Sequence, residues 1–227
     1  MTIRALHPTL LSVTFALAGC APSNRVDVAP QAPSAAALAA PPGERVFRAP
    51  INAVWDALMR QAARPPFSLE QAQPDARLAR LAWSADDPTQ YVECGRFASL
   101  VKSAQGERVF AFPSAAASEE YLVADGNTFV RVLRSIQLSG STVVQLQALG
   151  DSATRTRVET RYTILKHVTA QAATPLGTRI MPGTGSWTTT FATPEEGAEA
   201  SPEHMRCRAT GAIERAVLDR IARELTG

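Results

Sequence analysis

Lysine is nearly missing from this chain: Lys102 and Lys166 are the only two, and arginine supplies the rest of the 23 basic residues. Against 21 acidic residues the formal net charge is +2, and no run of Lys/Arg exceeds two. Nucleic acid is held by clustered cations, so a basic-patch nucleic-acid binder is excluded. Histidine and cysteine number three each, and no C-x-x-C pair of the kind that builds zinc sites occurs. No apolar run approaches the roughly 20 residues that cross a bilayer as a helix. No G-x-S-x-G marks a nucleophile elbow. Gly183 and Gly185 open no helix and meet no phosphate-loop lysine, so they read as a loop entering a strand. These absences leave no defensible catalytic, cofactor or metal site.

What is present begins at the N-terminus. Met1 to Arg4 carries one positive charge, and Leu10 to Ala18 is a short apolar stretch broken by Ser and Thr. That is the pattern of a cleavable signal, here residues 1–19. Leu17-Ala18-Gly19-Cys20 resembles the bacterial lipobox, in which small residues precede a cysteine that is acylated and becomes the mature N-terminus. Lipidation is therefore expected at Cys20. Acyl chains contribute about 0.8 kcal/mol per buried methylene, and two or three hold a domain on a membrane. Ala21, by the sorting rule of enteric bacteria, favours the outer membrane, with the domain facing the periplasm. Residues 20–43, rich in Ala and Pro, bury too little to fold and read as a tether. Residues 44–227 remain for a single domain. A two-domain division with its boundary in 103–126 is the alternative.

Two segments of that domain carry a helical period. Ile51, Val54, Trp55, Leu58, Met59 and Ala62 form one apolar stripe, begun by Pro50 and stopped by Pro65-Pro66. Ile213, Val217, Leu218, Ile221 and Leu225 line a second helix, with Thr210 or Gly211 as its cap and Glu214 in its first turn. Between them the period is two. Strands are expected at Arg45–Arg48, Phe67–Gln71, Arg77–Ser84 and Gln90–Cys94. Val130 to Leu138 alternates, with Arg134 an exception on the apolar parity. Ser139-Gly140-Ser141 reads as a hairpin turn leading into Val144, Leu146 and Ala148. Val158, Thr160, Tyr162 and Ile164 alternate again, and Trp187, Thr189 and Phe191 make a further strand. The expected fold class is α+β: a curved antiparallel sheet with an N-terminal and a long C-terminal helix on one face.

Cys94 and Cys207 are an even pair in an oxidising compartment, most simply a disulfide. Two buried thiols, or a metal or redox pair joined by His204, are the alternatives. His167 falls on the polar parity of its strand and is expected at the surface. Glu195, Glu196, Glu199 and Glu203 lack the spacing of a calcium loop and read as solvated.

Ala53 to Leu58 (AVWDAL), Tyr91 to Gly95 (YVECG) and Gly211 to Glu214 (GAIE), together with the lipobox, resemble periplasmic lipoproteins of the BamC type. These carry helix-grip domains on a long N-terminal segment and are accessory to outer-membrane β-barrel assembly. The resemblance implies a helix-grip fold over residues 44–227. It departs in domain number, since this chain has room for one such domain and not two. The helix-grip shape also occurs in START-like proteins, which hold lipid between sheet and long helix. Two functions follow as expectations, both non-enzymatic. The first is an outer-membrane lipoprotein serving as a periplasmic interaction module, with envelope proteins as partners at the loop 169–186 and beside the last helix. The second is a carrier of lipid or a small apolar ligand, its groove lined by Tyr162, Trp187, Phe191, Ile213, Val217 and Ile221.

Overall fold

A computed structural model describes residues 43–103, 106–125, 128–193, 196–198 and 205–226. The signal segment, Cys20, the tether up to Pro42, Glu195, Glu199, Glu203 and His204 lie outside the described residues.

Two strands dominate, β8 (Thr128–Ala148) and β9 (Thr154–Thr174), each of 21 residues and paired antiparallel from Val130 opposite Ala172 to Ala148 opposite Thr154. Their alternation is the reason. The even positions Val130, Val132, Ile136, Leu138, Val144 and Leu146 of β8 are buried, as are Val158, Tyr162, Ile164 and Val168 of β9. Both strands therefore turn one face to a core and one to solvent.

Shorter strands share their outer edges. Along β9 these are β1 (Glu44–Phe47), β11 (Gly185–Ala192) and β10 (Gly177–Ile180) in succession. Along β8 they are β7 (Ser118–Asp125) and then β3 (Leu78–Ala85), with β2 (Phe67–Gln73) outside β3. A hairpin of β5 (Arg96–Ser103) and β6 (Gly106–Pro113) forms a separate two-stranded sheet. β4 (Val92–Glu93), β12 (Glu196–Ala198) and β13 (Arg206–Ala209) form a three-stranded one.

Helices α1 (Ile51–Ala62) and α2 (Ala212–Thr226) bury their apolar stripes in a common core with the sheet. The first turn of α1 closes on the Pro50 carbonyl, which accepts from Val54 N–H at 3.2 Å. The Thr210 hydroxyl accepts from Ala212 N–H at 3.3 Å, and Gly211, at φ 75°, makes the turn into α2. The described residues are thus α+β, mostly antiparallel sheet with two α-helices.

Gly140 requires a correction. It lies inside β8, paired with Tyr162 and Trp83 on either side, and makes no hairpin turn. A Cβ there would fall 2.3 Å from Trp83 Cζ2 and 2.5 Å from the Arg161 carbonyl oxygen. The glycine is present so that the indole can lie across the strand. Within the segment 103–126, the described residues include β7, part of the main sheet, and β6, which pairs with β5.

Candidate functional site

The sheet's core face divides into two regions along β8 and β9. One contains the helices, the aromatic series Tyr91, Trp83, Tyr162 and Phe191, and the side chains of β1 to β3. Successive rings there stand 5.9, 5.3 and 5.3 Å apart, the last pair stacked. Trp83 Nε1–H donates to Thr142 Oγ1 at 3.0 Å, and the Thr142 and Thr160 hydroxyls are 3.1 Å apart. Glu214, wholly buried in the first turn of α2, accepts from the Tyr162 hydroxyl at 3.1 Å and from Thr193 Oγ1–H at 3.1 Å. Burial, reinforced by that carboxylate, holds the Tyr162 phenol above its ordinary pKa. This region is filled.

The other region is hollow. A cavity of about 400 Å³ lies against Val130 and Val132 of β8 and Val168 and Ala170 of β9. Phe97 of β5 and Tyr121 of β7 wall one side, their rings 4.5 Å apart and both packed with Phe112. Trp187 of β11 and the segment Met181–Gly183 wall the other, with Pro182 and Gly183 on the solvent side. The lining is largely apolar, and its volume sits at the low end of the roughly 300–1,000 Å³ typical of small-ligand pockets.

One lining residue departs from that character. Lys166, 1% exposed, sits directly opposite Trp187 in the β9–β11 pairing, and its Nζ is 5.2 Å from the indole centroid. An ammonium over an aromatic face is attracted by the ring quadrupole. Beside it Arg134, 2% exposed, donates to the Ser114 carbonyl and places its guanidinium 5.8 Å from the Phe112 ring. Both cations occupy the apolar parity of their strands at the seam between filled and hollow regions.

The six residues read as a groove are separated. Tyr162, Phe191, Ile213, Val217 and Ile221 are buried in the helix-covered core, whereas Trp187 lines the cavity. Trp187 and Phe191 share a face of β11 but lie four residues apart, on opposite sides of the seam. Lys166 was not singled out by sequence, although continuing the alternation Tyr162, Ile164 by one step lands on it.

Cys94 and Cys207 form a disulfide. Pairing Ala209 with Val92 and Arg208 with Glu93 brings Cys207 opposite Cys94 at the next step of the ladder. His167 is on the outer face, its Nδ1 2.8 Å from Ser186 Oγ and its Nε2 3.3 Å from Thr169 Oγ1. Only the backbone of Glu196 is described, in β12. Among the described residues no three His, Cys, Asp or Glu side chains stand close enough to hold a metal ion. Nor is any described helix long and apolar enough to cross a membrane.

A second recess, about 450 Å³, lies between the ends of α1 and α2 and is polar. Of the arginines lining it, Arg220 donates to the carbonyls of Arg64 and Pro65, and Arg64 pairs with Glu224.

Fold and cavity together define an α+β domain with a half-open apolar hollow beside a closed core. No family model, curated protein or solved structure matches the chain.

Proposed function

We propose that this chain is a non-enzymatic lipoprotein of a Gram-negative outer membrane whose periplasmic domain binds a lipid or small apolar ligand. The observation that carries the binding reading is the cavity between β5, β7, β8, β9 and β11, apolar along its walls and of ligand size. The anchor rests on the lipobox at Cys20 and the Ala/Pro-rich tether. The domain is a helix-grip variant, as in BamC-type and START-like proteins, in which the ligand space lies beyond the helices and not beneath the last one.

Native mass spectrometry of the chain, purified gently from membranes, tests this. A non-covalently bound apolar molecule at one per chain is expected. A chain that carries none, and binds no apolar probe, contradicts the reading. Cys20→Ser is expected to shift the chain from the membrane to the soluble fraction; retention on the membrane contradicts the anchor.

A second reading, an interaction module for envelope proteins including barrel-assembly components, is favoured by a different observation. Leu176 is fully exposed and Ile180 is 57% exposed at the β9–β10 hairpin; the segment 169–186, expected as a loop, is mostly strand, because β10 folds back on the end of β9. Stoichiometric co-purification of an envelope protein that is lost in Leu176→Ser/Ile180→Ser supports it.

A further inference from the structure

The walls of the cavity grade from buried to open. Phe97, Tyr121, Val130, Val132, Val168 and Ala170 are each 6% exposed or less. Val123, Ala124, Met181 and Trp187 are half-buried, and Pro182 and Gly183 are exposed. The hollow therefore has a closed, largely apolar end on the sheet and a mouth at the 181–183 segment. That closed end offers a ligand no free charge. Among the described lining residues Lys166 is the one charged side chain. Its ammonium is already engaged within the protein, with the Trp187 indole 5.2 Å away.

A polar head carried to the closed end would lose its water and find no free charge to replace it. The cost is larger for an ion than for a neutral group. A hydrocarbon chain meets the opposite balance, since each methylene that leaves water for such walls tightens binding about fourfold. Volume then limits how much chain can enter. A water takes about 30 Å³ of liquid and a methylene about as much, so a hollow of about 400 Å³ holds roughly a dozen methylenes. A two-chain lipid finds no room.

We infer that the ligand is a single hydrocarbon chain bound tail first, its methyl end on the buried walls and its polar group in water beside Pro182 and Gly183. Selection is by chain length and not by head group. The inference rests on the reading of the cavity as a ligand site and adds the ligand's orientation and length.

The experiment is equilibrium dialysis of radiolabelled 1-alkanols, hexanol to hexadecanol, against the full chain in lipid nanodiscs. Uptake by empty discs is subtracted, and affinity is referred to the free aqueous concentration. Affinity is expected to rise about fourfold per methylene and to level off near dodecanol. Decanoate, decanol and decyltrimethylammonium, below their micellar concentrations at neutral pH, are expected to agree within about fivefold. Ala170→Leu adds three carbons to the wall and is expected to move the plateau to chains about three methylenes shorter. Should that variant fail to fold, the length series and the head-group comparison on the unsubstituted chain still decide. Affinity that keeps rising to hexadecanol, or a head-group spread above about fivefold, overturns the tail-first inference and leaves the cavity reading intact. No binding at any length, or a plateau unmoved by Ala170→Leu, overturns both.

Discussion

The two halves of the sheet's core face are built on the same two strands with the same alternation, yet one is filled and the other hollow. At the filled end, α1 and α2 lay Val54, Leu58, Ile213, Leu218 and Ile221 onto Leu138, Val144 and Tyr162. A helix presents a side chain every 1.5 Å of its axis and drives a dense row into a sheet. At the other end the cover is a two-stranded hairpin and a loop. Phe97 and Phe112 reach the sheet from β5 and β6, but a strand sends only alternate residues inward. Space remains between Val130, Ala170 and Trp187. The contrast teaches that the covering element, and not the sheet, decides whether an apolar face becomes core or pocket.

The filled half should tolerate loss of volume poorly. Trp83→Ala removes the ring that spans Gly140 and orphans the Thr142 contact, and should cost about 3–5 kcal/mol in urea unfolding. A cost under about 1 kcal/mol would mean that this core is as loosely packed as the hollow. The disulfide follows. Cys94 and Cys207 are 113 residues apart, so Cys94→Ser/Cys207→Ser should lower stability by about 2–5 kcal/mol, with reductant producing a similar loss in the unsubstituted chain. Unchanged stability in both would remove the disulfide from the account.

The smallest effect concerns how the helices are tied together. Glu224 of α2 is held below the usual carboxylate range, first by its hydrogen bond from Arg60 and then by the charges of Arg60 and Arg64. A carboxylate depressed in the folded state stabilises above its unfolded value, about 4.3, and that stabilisation is lost as pH falls through the folded value. Glu224→Gln should therefore be slightly less stable than the parent at pH about 6 and equal to it well below pH about 4. A difference that grows on acidification would contradict the assigned pairing.

The buried faces behind this contrast were legible in sequence, whereas the contrast itself was not, for a physical reason. Alternation identified the two stretches of β8 on either side of Gly140, the middle of β9 and the buried face of each, because a half-buried antiparallel strand must alternate. Arg134 was already visible as an exception on that face. Alternation reports the face of a residue and says nothing of its place along the strand. Trp187 and Phe191 therefore looked equivalent, although one meets the hollow and the other the filled core. Gly140 misled because a glycine between serines is a turn signal locally, and its true partner, Trp83, is 57 residues away in the chain. The hairpin β5–β6 that roofs the cavity falls partly in the segment read as an alternative boundary, so the cavity itself was invisible.

The central claim is that one half is filled and the other hollow, and adding the same volume to each tests it. Ala57, on α1, is wholly buried in the helix-covered core, and Ala170 lines the cavity. Unfolding free energies of Ala57→Leu and Ala170→Leu should change in opposite directions. Overpacking should cost about 1–3 kcal/mol at Ala57, and filling space should add about 0.5–1 kcal/mol at Ala170. Equal destabilisation at both sites would contradict the account, because it would mean that the second half is packed as closely as the first.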